Sequence, residues 1–452
     1  MTTNASTVRL SEGNIRSVIL RFALPIFLSQ LFQQLYNSVD SIIVGRFLGR
    51  DALAAVSSSG SLIFLITSFV AGSMMGCSVV ISKYFGAQLE GKVTKAVHTT
   101  ALAALLAGVL VTAVGTGFTP QILRWMGTAE SVLPHSVRYF RLYFVGGIPI
   151  VLYNAFQGIM TALGDSRRPL IYLIISSLLN IVLDLVFVGA LGLGVGSAAV
   201  ATTIAQTVSV ILCVIHLRDG SLFFRLRLSE LRITPPLLKE MLRYGLPTGV
   251  QNSVIGFANV LVQTNVNSFG AVAMAAFGSY LKFEGFVFLP ITSFSMAVST
   301  FVSQNLGAGK HDRAKKGARF CIISACVCAE TVGVLMMLFA PACMRIFCDD
   351  AEVIAMGCRE IHIEALFYFL LSFDHCVAGV CRGAGKAVVP MAIMLGIWCV
   401  LRITYITVAM KLCHVITLLY WAYPLTWFIS GVMFLVYYLR SDWVHALDKP
   451  IV

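Results

Sequence analysis

Residues 178–189 read LLNIVLDLVFVG, an apolar run that nevertheless contains Asn180 and Asp184. The run ends a longer apolar stretch, residues 169–189, and about 20 apolar residues suffice to cross the hydrocarbon core of a bilayer as a helix. Similar stretches recur along all 452 residues, of which 58% are hydrophobic and only 12% charged. A soluble domain carries about 25% charged residues. The sequence therefore predicts an all-α integral membrane protein.

Twelve apolar stretches, separated by short polar breaks, are the predicted transmembrane helices. Of the 33 Lys and Arg, 23 fall in the termini and the even-numbered loops, and 8 in the odd-numbered loops. Because cytoplasmic loops are enriched in Lys and Arg, we predict a multi-pass cell-membrane protein with both termini in the cytoplasm. The net charge of +12 then reflects this orientation, and no nucleic-acid partner is expected. The predicted spans are 19–46, 52–82, 95–118, 136–162, 169–189, 194–217, 238–268, 272–304, 318–341, 355–381, 388–410 and 415–439.

The two halves of the chain match each other at an offset of 221 or 222 residues. LRFALP at 20–25 aligns with LRYGLP at 242–247. GIMTALGDSRRP at 158–169 aligns with GVCRGAGKAVVP at 379–390. Each half holds six spans, an even number, so both halves have the same orientation. The repeat is therefore a parallel one.

This repeat predicts two six-helix lobes, residues 1–217 and 238–452, around a central cavity. Lobes that rock against each other are one architecture of alternating-access transporters. The cytoplasmic linker, residues 218–237, fits a helix lying at the membrane interface and a simple connection equally well. Pro25 and Pro247 lie early in matched spans and are predicted to kink their helices, as inert bends or as hinges.

Polar side chains form a stripe along the first predicted span. Gln33, Asn37 and Asp40 are spaced by three and four residues, so they share one face of a helix. A polar face avoids lipid, and we expect it to turn toward the interior of the protein. Gln33 and Asn37 are thus candidate substrate contacts.

Two further spans carry polar residues at helical spacing. Asn180 and Asp184 are four residues apart in the fifth span, and Thr202 and Gln206 are four apart in the sixth. Gln206 is a further candidate for the substrate cavity.

Asp40, Asn180, Asp184 and Thr202 are predicted to lie at one depth, in the outer third of the membrane. Two carboxyl groups, an amide and a hydroxyl would form an oxygen cage for Na⁺ or a site for protons. An ionised Asp near the centre of a membrane helix costs about 2.5–3.5 kcal/mol or more, and two facing acids also repel. We therefore interpret the group as a cation-coupling site. The alternative is that each acid merely bonds neighbouring groups and holds helices together.

The second half repeats the spans without this cage. Asn259 and Gln263 follow the polar face of the seventh span, and Glu284 and Asp374 are acids in later spans. All four are candidate substrate or cavity residues. The two acids either pair with Lys282 and Arg402 or contact a cationic substrate.

Three long stretches resemble the multidrug and toxic compound extrusion (MATE) family, in particular its DinF-like branch. They are LPIFLSQLFQQLYNSVDSIIVGRFLG (24–49), GIMTALGDSRRPLIYLIISSLLNIVLDLVFVG (158–189) and SFSMAVSTFVSQNLGAGKHDRAKKGARF (293–320). The resemblance implies twelve helices in two lobes. It also implies export of amphiphilic, often cationic organic compounds in exchange for H⁺ or Na⁺.

The resemblance also implies site residues. The family's cation site in the N-terminal lobe falls here on Asp40, Asn180, Asp184 and Thr202. NorM-type members instead carry a Glu in the seventh helix, which this sequence lacks, although Asp374 roughly fits the acid of their tenth helix.

Other functions fit the sequence less well. A flippase for a lipid-linked precursor is the main alternative, but the spans that face the expected cavity show Gln and Asn with few Arg. No HExxH, GxSxG or Cys–His motif indicates an enzyme, and no cofactor or metal is expected beyond a coupling H⁺ or Na⁺. The expected partners are small-molecule substrates and the lipid bilayer, with the protein itself a monomer.

Overall fold

The computed structural model describes residues 9–125, 133–194, 196–219 and 224–447, and within these ranges every regular element is helical. Sixteen α-helices occur in this part of the chain. Six-residue and seven-residue π-helical segments, Leu185–Ala190 and Leu395–Leu401, extend two of them. The helices are α1 Ile15–Gly86, α2 Glu90–Gly117, α3 Thr119–Trp125, α4 Leu133–Val145, α5 Gly147–Ala162, α6 Arg167–Asp184, α7 Gly196–Leu217, α8 Pro235–Asn267, α9 Ala271–Gly307, α10 His311–Leu338, α11 Ala340–Arg345, α12 Ala351–Glu364, α13 Tyr368–Gly383, α14 Val388–Met394, α15 Arg402–Leu412 and α16 Ile416–Arg440.

The helices confirm the predicted class of fold. Ten helical stretches of the described chain are long and apolar enough to cross a membrane, and the bent pair α4 and α5 makes eleven. The bend is 49° and lies at Gly146, where an added Cβ would come 2.3 Å from Thr203 Oγ1 of α7. The seventh predicted span forms α8, which is long enough at 33 residues but too polar to meet the same criterion.

One detail of the predicted organisation differs from the structure, and the structure also bears on the linker, for which the sequence left two alternatives open. The break expected between residues 46 and 52 is absent, because α1 is one helix of 72 residues; no proline occurs there to interrupt its backbone hydrogen bonds. Residues 224–234 of the linker contain no α-helix and one 3₁₀ turn, Leu228–Glu230, which favours the simple connection over the interfacial helix. Phe224 and Leu226 are instead buried, with 3% and 1% exposed, because burying them gains more than leaving them at the interface.

The chain divides into two compact units. One comprises Leu28–Gly245, and in the other Leu10–Phe27 clusters with the chain from Leu246 onward. Pro25 and Pro247 both lie inside helices that continue on either side. Their role as kinks, and the lobe boundaries at 217 and 238, stay predictions.

In the first unit, α1 and α8 cross at very short distance. A Cβ on Gly245 would lie 2.1 Å from the carbonyl oxygen of Ser73, and one on Gly76 would lie 2.3 Å from the carbonyl oxygen of Met241. Both contacts are with backbone, which cannot move aside as a side chain can. Glycine is therefore required at both positions, as in other close helix crossings in membranes.

The second unit uses the same device between α9 and α13. A Cβ on Gly379 would lie 2.5 Å from Ser295 O, and one on Gly383 would lie 2.4 Å from Ser299 O. The repeat-related helices α1 and α5 are also close, since a Cβ on Gly158 would lie 2.6 Å from Ser78 Oγ. The repeat seen in the sequence is thus visible in helix packing.

Residues 10–13, the N-terminal strap, are bound by the first turn of α10 and by Lys310, which precedes it. The Arg313 guanidinium donates to the carbonyl oxygens of Glu12 and Gly13 at 2.7 Å and of Leu10 at 3.2 Å. Lys310 Nζ donates to Ser11 O at 2.8 Å. Leu10 is fully buried, so the strap is an integral part of the second unit.

Candidate functional site

The four predicted cage residues lie together in the first unit. Asn180 and Asp184 are 1% and 0% exposed. With the Asn180 amide oriented to satisfy both of its polar atoms, its nitrogen donates to Asp184 Oδ2 at 2.8 Å and its oxygen accepts from the Thr202 N–H at 3.0 Å. One amide therefore links α6 to α7 and fixes the position of the Asp184 carboxyl group.

Asp40, on α1, completes the group, because its carboxyl group lies close enough to that of Asp184 for the two to share a proton. A hydrogen bond between them requires a proton on one of the two groups, because two carboxylates are both acceptors. The Oδ1 atoms of both residues are buried and have no hydrogen-bond partner in the described chain. The pair thus has unused capacity to accept a proton or a small cation.

The backbone changes from α-helix to π-helix immediately after Asp184. α6 ends at Asp184, and Leu185–Ala190 continues with the wider π-helical turn. π-helical segments often occur at functional sites. Here the wider turn follows directly on the site carboxyl group.

Three tyrosines that the sequence reading did not single out surround the pair. The Tyr36 hydroxyl lies near Thr202 and Asp40. Tyr139 and Tyr143 of α4 lie close to Asp40, with ring centroids 6.3 Å apart. The available signal was spacing, since Tyr36 is one helical turn before Asp40, but tyrosine is too common in membrane spans to be selected on spacing alone.

No basic side chain neutralises the carboxyl pair. Among the described residues, neither Asp40 nor Asp184 forms a salt bridge with Lys, Arg or His. Nor does the described part of the chain hold three or more His, Cys, Asp or Glu grouped as metal ligands. A change in the charge of the carboxyl pair is therefore not compensated by a neighbouring basic side chain among the described residues.

The other polar residues predicted in this half are near neighbours on their helices. Gln33 Nε2 donates to Asn37 Oδ1 at 3.2 Å, on an exposed part of α1. Gln206 Oε1 is buried and lacks a hydrogen-bond partner in the described residues. All three remain candidate substrate contacts.

On α8, Asn259 is exposed and Gln263 is partly exposed. Gln263 Nε2 donates to Asn267 Oδ1 at 2.9 Å, so part of the predicted polar face is occupied by bonds within the helix. Their place as substrate or cavity residues stays a prediction.

Asp374 of α13 is fully buried. Its Oδ2 accepts a short hydrogen bond from Ser430 Oγ of α16, and Ser430 Oγ accepts in turn from Trp398 Nε1 at 2.9 Å. Asp374 Oδ1 has no partner in the described chain. The acid is thus held by neutral groups, with one oxygen unused.

The predicted pairing of Glu284 and Asp374 with Lys282 and Arg402 is wrong as a set of direct contacts. No salt bridge joins these four residues, all of which the structure describes. Lys282 is exposed, and its Nζ lies 4.8 Å from the ring centroid of Phe347. Its long side chain reaches an aromatic face, where a cation is also stabilised.

Arg402 is buried and is held by neutral groups. It donates from Nε and Nη2 to Thr426 Oγ1 at 3.0 and 2.8 Å, and its guanidinium lies 4.3 Å from the Tyr423 ring centroid. It interacts with Glu284 and Asp374 through space only. Neutralisation in this half is therefore indirect.

Two acids of α12 extend this group. Glu360 and Glu364 are both fully buried, and only Glu364 is bonded, accepting from the Tyr280 hydroxyl at 2.7 Å. Both oxygens of Glu360 lack a partner in the described residues. The sequence reading missed Glu360 altogether, although two acids four residues apart in an apolar stretch were a visible signal.

Residues 25–186 and 247–408 each match the MatE family, and these two segments are the repeats inferred above. The chain belongs to the MatE family. MatE proteins are transporters and not enzymes. The prediction that this protein is not an enzyme is therefore confirmed. The resemblance to this family, drawn from three sequence stretches, is confirmed.

Relatives of this MatE protein cover most of the chain. "Probable multidrug resistance protein YoeA" of Bacillus subtilis is 30% identical over 400 residues, 87% of this chain and 86% of its own. "Probable multidrug resistance protein NorM" of Thermotoga maritima is 28% identical over 85% of this chain and 83% of its own. A protein of Shewanella oneidensis named "FAD transporter" is 22% identical, over 76% of this chain and 77% of its own.

Solved structures share the fold. A MOP superfamily transporter from Pyrococcus furiosus superposes with a TM-score of 0.91 over 100% of both chains, at 23% identity. The outward-facing structure of a multidrug resistance MATE family transporter gives 0.91 over 100% of both chains, at 22% identity. The multi-span helical architecture of this MatE protein is thus that of known transporters.

Proposed function

We propose that this MatE protein is an antiporter of the cell membrane that exports amphiphilic, cationic organic compounds in exchange for H⁺ or Na⁺. Asp40, Asn180, Asp184 and Thr202 form the coupling site in this proposal. Both termini lie in the cytoplasm, as the distribution of Lys and Arg favours, and the transporter works as a monomer by alternating access of two lobes.

The close approach of the carboxyl groups of Asp40 and Asp184 in a buried site is the observation that carries the proposal. With one proton the two acids attract, and without it two negative charges in near contact repel, by about 4 kcal/mol for an assumed separation of ~4 Å at an effective dielectric of 20. Loss of the proton therefore forces α1 and α6 apart or draws in another cation. A site of this kind converts proton binding into helix movement.

The geometry favours H⁺ over Na⁺ as the coupling ion. A sodium ion would have to replace the shared proton and separate the two carboxyl groups. It would then find the two free Oδ1 atoms and the Thr202 hydroxyl, which are oxygen ligands of the type that hard cations take. Sodium is thus the second candidate.

A cationic substrate is supported by the acids of the second half. Glu360 and Asp374 are fully buried with oxygens that no described group satisfies. Since buried acids without partners are costly, a positively charged ligand would relieve the cost. Relatives named as multidrug resistance proteins agree with an organic substrate.

One relative's name, FAD transporter, makes a flavin nucleotide the substrate to test as a competitor. Arg402, a buried cation, is one group that such an anion could contact. The flippase considered from the sequence has no comparable observation in its favour.

The test is transport into proteoliposomes that contain the purified protein. A fluorescent organic cation is supplied under an imposed pH gradient at equal Na⁺, or under an imposed Na⁺ gradient at equal pH. We expect uptake with the pH gradient. Uptake with the Na⁺ gradient alone would reassign the ion, and no uptake with either gradient would refute the antiport proposal.

A further inference from the structure

A groove with a volume of about 670 Å³ lies in the second unit, where α1 and α10 begin and α16 ends. This volume is within the range of small-molecule pockets, about 300–1,000 Å³. Its lining includes none of the predicted coupling residues and none of the candidate substrate residues. The groove is lined by Ile15, Arg16, Asp312, Lys315, Lys316, Arg319, Phe320, Ile323, Tyr438, Leu439 and Trp443.

One half of the groove is strongly cationic. Arg16, Lys315, Lys316 and Arg319 face one acid, Asp312, and all four cations are exposed. None of them forms a salt bridge with another described residue. Asp442, an acid outside the groove that interacts with Lys315, is held by His445 at 2.6 Å. Four cationic groups are therefore available to an anion.

The other half is apolar and aromatic. Ile323 and Leu439 are 56% and 71% exposed. Tyr438 and Trp443 are stacked with ring centroids 5.6 Å apart, and Trp443 is only 4% exposed. Tyr and Trp concentrate where a membrane meets water, which places this end of the unit at the bilayer surface.

The cationic and the apolar half of the groove follow one another along α10. Lys316 and Phe320 are four residues apart, as are Arg319 and Ile323, so each cation lies one turn from an apolar residue on the same face. Cations occupy the end of the helix, and apolar residues follow toward its middle. A ligand that matches this order has an anionic head and a hydrocarbon body.

We propose that this groove binds an anionic phospholipid, with the phosphate among Arg16, Lys316 and Arg319 and an acyl chain along Ile323 and Leu439. A soluble phosphate would leave the apolar half unused. A zwitterionic lipid carries a positive group of its own, which four cations repel. Basic pockets between membrane helices are known to hold anionic head groups. This site is independent of the coupling site and of the transported substrate.

The test is native mass spectrometry of the detergent-solubilised full-length protein with added phosphatidylglycerol or phosphatidylcholine. The variant Lys315→Gln/Lys316→Gln/Arg319→Gln removes three groove cations. Its matched control removes three exposed cations of the first unit, Arg218→Gln/Lys239→Gln/Arg243→Gln. A charge-preserving variant, Lys315→Arg/Lys316→Arg/Arg319→Lys, tests for rescue.

Each Lys or Arg near an anionic lipid contributes roughly fivefold in affinity, so we expect the groove variant to lose at least about tenfold in phosphatidylglycerol binding. The control and charge-preserving variants should bind as the wild type does, and glycerol 3-phosphate, which lacks acyl chains, should not compete. Equal binding of both lipids to the wild type would overturn the proposal. So would unchanged phosphatidylglycerol binding in the groove variant, or competition by glycerol 3-phosphate, which would indicate a soluble anion.

Discussion

Replacing Asp184 by Asn tests the coupling site most directly. Asn has the same shape, and its amide oxygen can keep the 2.8 Å hydrogen bond from Asn180 Nδ2. Its amide is neutral, so it cannot repel the Asp40 carboxylate as an ionised Asp184 would. The variant therefore mimics, permanently, the pair with one shared proton.

The magnitude follows from the contact between the two acids. In the wild type, the doubly ionised pair lies above the protonated one by about 4 kcal/mol of repulsion at an effective dielectric of 20, about a thousandfold in population. Asp184→Asn removes that difference and with it the means to drive helix movement. Folding stability should change by less than about 1 kcal/mol, because the neutral hydrogen bond is retained.

The assay is uptake of a fluorescent organic cation into proteoliposomes under an imposed pH gradient. We expect the initial rate in Asp184→Asn to fall at least about a hundredfold, with substrate binding and thermal stability preserved. Asp349→Asn, at an exposed acid, is the matched control and should transport normally. A wild-type rate in Asp184→Asn, with the control equally active, would refute the reasoning.

Three further variants test the packing and the second unit. Glu360→Met removes a buried carboxyl group without partners, so thermal unfolding in detergent should show stabilisation by about 1–3 kcal/mol; a lower melting temperature would contradict this. Gly245→Ala should destabilise by several kcal/mol, since its Cβ would meet backbone at 2.1 Å. Gly278→Ala, with open space around it, should be neutral or stabilising by up to about 1 kcal/mol, and similar melting temperatures for the two would argue against the crossing. Arg313→Ala should speed amide exchange in the N-terminal strap about tenfold or more relative to the control Lys386→Ala, as hydrogen exchange can measure.

The sequence predicts much of the fold because hydrophobic length and charge asymmetry are properties of the chain itself. The contact of Asp40 with Asp184 was also predictable, since helical spacing and depth put both acids at one level. What spacing cannot show is the identity of neighbours on other helices. Tyr139, for example, comes to Asp40 from a helix about 100 residues away in sequence.

The outcomes for Arg402 and for the linker have physical causes of the same kind. Arg402 was expected to pair with an acid on charge alone. Instead its guanidinium donates to Thr426 and lies over the ring of Tyr423, and no acid of the described chain is in direct contact with it. For the linker, composition left an interfacial helix and a simple connection equally open, and burial of Phe224 in the first unit favours the connection. In both cases tertiary contacts outweigh a local preference, and these contacts are not encoded by spacing along one helix.

The N-terminal strap sets an order of events during synthesis. Leu10 and Arg313 are 303 residues apart in sequence, and at about 5–20 residues per second the ribosome needs about 15–60 s to connect them. During that time the first unit can enter the membrane, while the residues that bind the strap have not yet been synthesised. Synthesis of Lys310 and Arg313, rather than of residues 10–13 themselves, therefore decides when the strap is fixed in place.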